Sequence, residues 1–296
     1  MRSAVGFVFL AACATGTPGV DGTPDAKPGG GKDAGGEPTD AATADASSPP
    51  IDASPPPPAG TQLLLTEVVL TPSTGEYIEI ANPTAQTVDL STYYVSDAGS
   101  YFRLPAGAPT VDSNDFIAKF PAGATLAPGA VATIALDTAA NFQTVYGVAP
   151  TYSLADGTIT SVAANGLATL TNAGELVVLF QWAGQSDLVS DVDLVLAGVP
   201  SVANGIVDKS AVSLDGPDAD ATPSAYSADA RTITAQPTAP GAGKSTKRIA
   251  LETGHETQAG GGNGITGDDE TSEQTSATWD TTYTAPTPGA VPAGLF

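Results

Sequence analysis

Few residues in this chain could do chemistry. It has one histidine, His255, and one cysteine, Cys13. A serine hydrolase needs an imidazole to take the nucleophile's proton and a carboxylate to orient that imidazole. Only His255 could serve, and it stands in the polar stretch Thr253-Gly254-His255-Glu256, with no Gly-x-Ser-x-Gly elbow elsewhere in the sequence. A zinc site wants several imidazoles or thiolates, and neither His-Glu-x-x-His nor a phosphate-cradling Gly-x-x-x-x-Gly-Lys-Ser/Thr run is present. Carboxylates are what remain. Asp215, Asp218 and Asp220 share one short run, and Asp268, Asp269 and Glu270 form a second. Calcium takes about six to eight oxygens, backbone carbonyls included, so these six acids are the candidate ligands. Neither run has the Asp-x-Asp/Asn-x-Asp/Asn-Gly order of an EF-hand, and Asp215-Gly216-Pro217-Asp218 is also an ordinary turn sequence. The expectation is no catalytic residue, no cofactor, and at most the millimolar class of calcium binding seen in extracellular modules.

Cys13 offers a different chemistry. Arg2 precedes the apolar run from Ala4 to Leu10, and small residues lead to the cysteine, which is a secretory signal pattern. Its end, Leu10-Ala11-Ala12-Cys13, resembles the lipobox of bacterial lipoproteins. The resemblance implies cleavage before Cys13, a diacylglyceryl group on its sulfur, and acylation of the new amino terminus. Acyl chains contribute about 0.8 kcal/mol per buried CH₂, and two or more hold a protein on a membrane where one does not. Ala14, rather than Asp, follows the cysteine. In proteins with this lipobox that implies sorting to the outer membrane. The apolar run is too short to span a bilayer as a helix, and no later stretch is long and apolar enough.

Residues 13–59 read as a lipidated cysteine followed by a disordered tether. After Cys13 the segment is mostly Gly, Pro, Ala, Asp, Thr and Ser, with Val20 and Ile51 its large aliphatics and no aromatic residue. Such a composition buries too little apolar area to offset its ordering entropy, and Pro55 to Pro58 favour extended polyproline II. Gly29 to Gly31, like Gly260 to Gly262, read as flexible linker or loop. Acids outnumber bases 32 to 10, for a net charge of −22. That balance argues against direct nucleic-acid binding, which needs Lys and Arg to displace counterions, and against adsorption to anionic headgroups.

The elements that would carry these residues are strands. Ile78 and Ile80 flank Glu79 in period two, which puts the isoleucines in a core and Glu79 outside or toward a turn. Leu176, Val178, Phe180 and Trp182 alternate after the turn Asn172-Ala173-Gly174. Leu188, Val192, Leu194 and Leu196 share a face, with Asp191 and Asp193 opposite. The one short helical candidate is Ala139 to Tyr146. Many short strands with regular turn signals predict an all-β sandwich or barrel. Beyond Pro200 the apolar anchors Ile206, Val207, Val212, Leu214, Ile233, Ile249 and Leu251 allow a few added strands around Val207, Ile233 and Ile249. Asp215–Ala221 and Gly260–Glu270 read as surface loops with no packed core.

Four blocks resemble the lamin-tail domain family, an immunoglobulin-like β-sandwich. They are Leu65-Thr66-Glu67-Val68, Glu76 to Pro83 with Val88-Asp89-Leu90-Ser91 after it, Phe120 to Gly129, and Leu170 to Leu179. Pro286-Thr287-Pro288-Gly289 resembles the tail after the family's last strand. Where the family usually has Gly-Trp, this chain has Tyr93-Tyr94, and a long insertion at about 200–278 precedes the last strand. The resemblance implies an immunoglobulin-like sandwich over 60–290, and in bacteria such domains often accompany secreted nucleases or phosphatases.

The reading is therefore a lipid-anchored surface protein, on the outer membrane through Cys13, carrying a non-catalytic domain that binds or scaffolds an envelope or extracellular protein or glycan. Two rivals follow from other residues. One is a metal-dependent hydrolase within 200–278, which requires both acid clusters and His255 to converge in one cleft. The other is an adhesin that presents exposed Tyr93, Tyr94 and Tyr101.

Overall fold

A computed structural model describes residues 60–200, 207–229, 235–236 and 238–296. The signal, Cys13, the tether, Ile206 and Ile233 lie outside the described residues. Apart from two short pairs, β3 (Val88–Asp89) with β6 (Thr125–Leu126) and β12 (Ser213–Leu214) with β13 (Ser224–Ala225), the described strands form two sheets. One antiparallel sheet is built from β1 (Leu64–Val69), β2 (Tyr77–Ala81) and β7 (Val131–Ala135). It is edged by β14 (Thr246–Lys247) and by β8 (Tyr152–Ser153), which runs parallel to β7. The second sheet has the order β11 (Ser190–Gly198), β10 (Gly174–Gln181), β4 (Tyr93–Ser96), β5 (Phe116–Lys119) and β9 (Thr160–Ala164). Their facing sides share one core. Ile78, Ile80 and Ile134 from the first sheet meet Val95, Phe116, Val177, Leu179 and Val195 from the second. The period-two reading of Ile78 and Ile80 is correct, and a bulge between Leu65 and Glu67 lets Leu65 and Val68, three positions apart, both reach this core. The result is the expected immunoglobulin-like β-sandwich.

Both outer faces are also covered, which the strand patterns did not foretell. The outer side of the first sheet takes the helix α1 (Ala139–Tyr146), at the bounds the sequence suggests. Its Phe142 packs edge-on against Tyr77 at a centroid distance of 5.5 Å. On the second sheet Leu176, Val178 and Phe180 lie with Tyr94 under Tyr101, Phe102, Val207, Leu214 and Tyr226. A sheet buried on both faces reads as a near-continuous apolar run, and the run Leu176-Val177-Val178-Leu179-Phe180 is one. Tyr93, Tyr94 and Tyr101 are only 8, 3 and 0% exposed. They are core, and the tyrosine-presenting adhesin is set aside.

Three further expectations change. Glu79 does not face solvent. Its Oε1 accepts from Thr66 Oγ1 at 2.9 Å and its Oε2 from Gly289 N at 2.7 Å, because the closing Pro286–Gly289 segment lies over that face. Asp191 and Asp193 do not share an outer face either. The register of β10 and β11 shifts between Leu179 and Phe180, so Val192 and Asp193 both turn toward the first sheet while Asp191 turns away with Leu194 and Leu196. Past Pro200, Val207 is buried in the second cluster but Ile249 is 54% exposed, and Asp269 and Glu270 are buried rather than on a surface loop.

Candidate functional site

Two buried cations, each held by two carboxylates, fix the chain after β11 to the sandwich. Lys209 Nζ donates to Asp191 Oδ2 at 2.7 Å and to the Tyr101 hydroxyl at 3.1 Å, and lies 3.2 Å from Asp229 Oδ1. Burial alone would lower the Lys209 amine, but the Asp191 and Asp229 carboxylates outweigh it and hold it above its ordinary value. On the opposite face of β11, Arg248 reaches Asp193, Glu273 and the Leu65 carbonyl, with its guanidinium over the Trp279 ring. These are structural fasteners. Their signal in the sequence was aspartate inside an apolar strand, in a chain with only 10 basic residues to pair with its acids.

The first acid run is brought to Asp187, so that carboxylate oxygens of Asp187, Asp215 and Asp218 lie within 4.8 Å of one another. Asp220 stands outside that group and accepts from Thr222 N at 2.7 Å. The Asp187 carboxylate is already satisfied. Its Oδ1 takes Gly216 N at 2.8 Å and its Oδ2 takes Ser224 Oγ at 2.6 Å. Those donors hold Asp187 below its ordinary range.

The second run divides. Asp269 caps the turn Glu270–Ser272, accepting from Thr271 N at 3.1 Å. Asp268 accepts from Gly260 N at 2.7 Å and from Thr266 Oγ1 at 3.1 Å, and lines a cavity of about 400 Å³ with Gln62, Glu252 and Glu256. Glu270 points inward, to Glu252 and Glu256. Oxygens of these three carboxylates lie within 4.8 Å of one another. Glu252 and Glu270 are 4 and 2% exposed, and the Oε2 of each has no hydrogen-bond donor. Gln62 sits beside them, its Nε2 donating to Glu252 Oε1 at 3.2 Å and its buried Oε1 unpartnered. Burial and then the Glu270 charge push Glu252 well above the carboxylate range, and burial raises Glu270 to about 8. The glycines here serve close approach. A Cβ on Gly262 would lie 2.2 Å from the Asp268 carbonyl oxygen, and one on Gly264 would lie 2.4 Å from Glu270 Oε1. Gly262 and Gly264 thus lie tightly on the acid turn, whereas a Cβ at Gly260 or Gly261 would meet nothing. Glu252 and Glu256 escaped sequence reading because they stand singly, apart from any acid run. His255 lies between them in sequence, yet its imidazole belongs to neither carboxylate group.

The signature blocks also close on one another. Asn82 donates to the carbonyls of Gln86 and Leu126 at 2.7 and 2.8 Å, and Thr287 N donates to Glu67 Oε1 at 3.0 Å. In comparison with known families, residues 56–195 match the Lamin Tail Domain. This segment is a lamin tail domain. A crystal structure of a DUF4876 family protein from Bacteroides thetaiotaomicron is similar at 15% identity and a TM-score of 0.39, over 78% of this chain and 72% of that one. Comparison with curated proteins gave no match. The tail docked on Glu67 and the strap carrying Arg248 lie outside the matched residues but pack on the lamin tail domain's first strand. Among the described residues no helix is long and apolar enough to cross a membrane.

Proposed function

We propose that this is a surface protein held on the outer membrane by lipid on Cys13, whose lamin tail domain binds a partner and performs no catalysis of its own. The observation that carries the binding role is the open edge at β9. Among the described residues β9 pairs only with β5, and Thr160-Ser161-Val162-Ala163-Ala164 holds no charge and no proline. Edge strands are usually guarded by charge, Pro or cover, because unpaired N–H and C=O groups accept another strand. A hollow of about 330 Å³ adjoins it, lined by Leu154, Ala164, Leu167 and Ala168, with Leu167 itself 82% exposed. That combination favours an extended protein segment added to the sheet edge, its side chains seated in the hollow, over a glycan. The net charge of −22 disfavours nucleic acid.

The hydrolase reading has less support. The two carboxylate groups share no member, and His255 is in neither.

Two variants test the proposal. Cys13→Ser should move the chain from the membrane pellet to the soluble fraction and abolish lipid labelling; a mutant still pelleted and labelled contradicts the anchor. Ala164→Lys with Leu167→Glu should lose the envelope proteins that the wild-type chain captures, at unchanged melting temperature. Capture of the same set by both would contradict the edge.

A further inference from the structure

We propose that Glu252, Glu256 and Glu270, with the Gln62 side-chain carbonyl, form a calcium site that clamps the segment after β14 onto the start of β1. Three observations carry it. First, the three carboxylates come from two turns distant in sequence, and their oxygens gather within 4.8 Å, a spacing at which one cation can touch all three. Second, the site holds unsatisfied acceptors. Among the buried side-chain atoms without a partner are Gln62 Oε1, Glu252 Oε2 and Glu270 Oε2, all of them oxygens. Glu252 and Glu270 are nine-tenths buried or more, so water does not make good the loss. Third, the neighbouring cations are already engaged. Arg248 is committed to Asp193 and Glu273, and Lys209 to Asp191 and Asp229.

A positive charge at the centre would resolve both the mutual repulsion and the missing donors. The donor set is all oxygen, which suits a hard cation, and contains no imidazole or thiolate for zinc. Calcium fits better than magnesium. Calcium tolerates irregular coordination and carboxylates that bind through one or both oxygens, whereas magnesium demands a near-ideal octahedron and keeps its waters. The cavity beside Glu252 and Glu256 gives an entry path and room for the waters that complete the shell. Asp268, on its rim, adds attraction for an incoming cation. The alternative is that protons shared between Glu252 and Glu270 satisfy the cluster.

The contrast with Asp187, Asp215 and Asp218 is chemical. There the central carboxylate is filled by backbone and serine donors, so that group serves as the internal control.

The test uses the chain cleared with chelator, at neutral pH and moderate ionic strength. Calorimetric titration with calcium should show one site, with a rise in melting temperature that magnesium at equal concentration does not reproduce. Glu256 is only partly buried, so Glu256→Gln should fold and melt like the calcium-free wild type yet lose both the heat and the shift. Asp218→Asn should retain both. Absence of calcium heat and shift in the wild type overturns the proposal in favour of shared protons. Loss of the shift in Asp218→Asn with retention in Glu256→Gln overturns it in favour of the other group. An equal response to magnesium reduces it to screening of an acidic surface.

Discussion

The Arg248 guanidinium and the Asp193 carboxylate, 55 residues apart in the chain, meet at 2.6 Å with neither side chain exposed. Asp193 also accepts from Leu65 N at 2.6 Å, and Arg248 Nε donates to Leu65 O at 2.8 Å. One ion pair therefore joins β11, β1 and the residue that follows β14, across both sheets.

Removing one partner of such a pair leaves an uncompensated buried charge. Arg248→Met should cost about 3–5 kcal/mol. Arg248→Lys should recover only part, because an ammonium cannot make the planar fork that spans Asp193 and Glu273. Denaturant unfolding of the three chains checks the order. A wild-type midpoint in Arg248→Met would contradict it.

Stability should rise on mild acidification. Burial raises Glu76, Glu79 and Glu175 from 4.5 to about 7 each. For a carboxyl raised in the folded state, the native form binds more protons than the unfolded chain between the two values. That contribution is complete below pH 4.5 and is lost as the pH rises through about 7. Melting temperature should therefore increase from pH 7.5 toward about pH 5.5, against the usual acid trend. A steady fall over that range would show that these carboxyls are ionised in the fold.

Ile80→Ala should cost about 2–5 kcal/mol, because its side chain fills the core between the sheets and leaves a cavity. Chemical denaturation measures it, and an unchanged midpoint would mean that the β2 face is misread.

How much of this was legible follows from where the information sits. Ile78 and Ile80, α1 and the Leu176–Phe180 run carry period and turn signals that are local, and they are where the sequence suggests. The fate of Glu79 was not local, since it depends on Gly289 coming back over the sheet, 210 residues on. Likewise Asp193 reads as an outward residue until the bulge at Val192 and the return of Arg248 are known. The carboxylate cluster was half visible. Glu270 stood in an acid run, whereas Glu252 and Glu256 had no neighbours to mark them. Whether the tyrosines are exposed was not legible, because covering segments beyond β4 hide them and period-two alternation says nothing of a second layer.

The most direct test of the binding account is backbone amide exchange across Thr160–Ala164, compared between the free chain and the chain bound to its captured envelope partner. Added-strand pairing should slow the outward-facing amides of β9, which have no sheet partner among the described residues, while α1 exchanges unchanged. Identical exchange at β9 in both states, with the partner demonstrably bound, would contradict it.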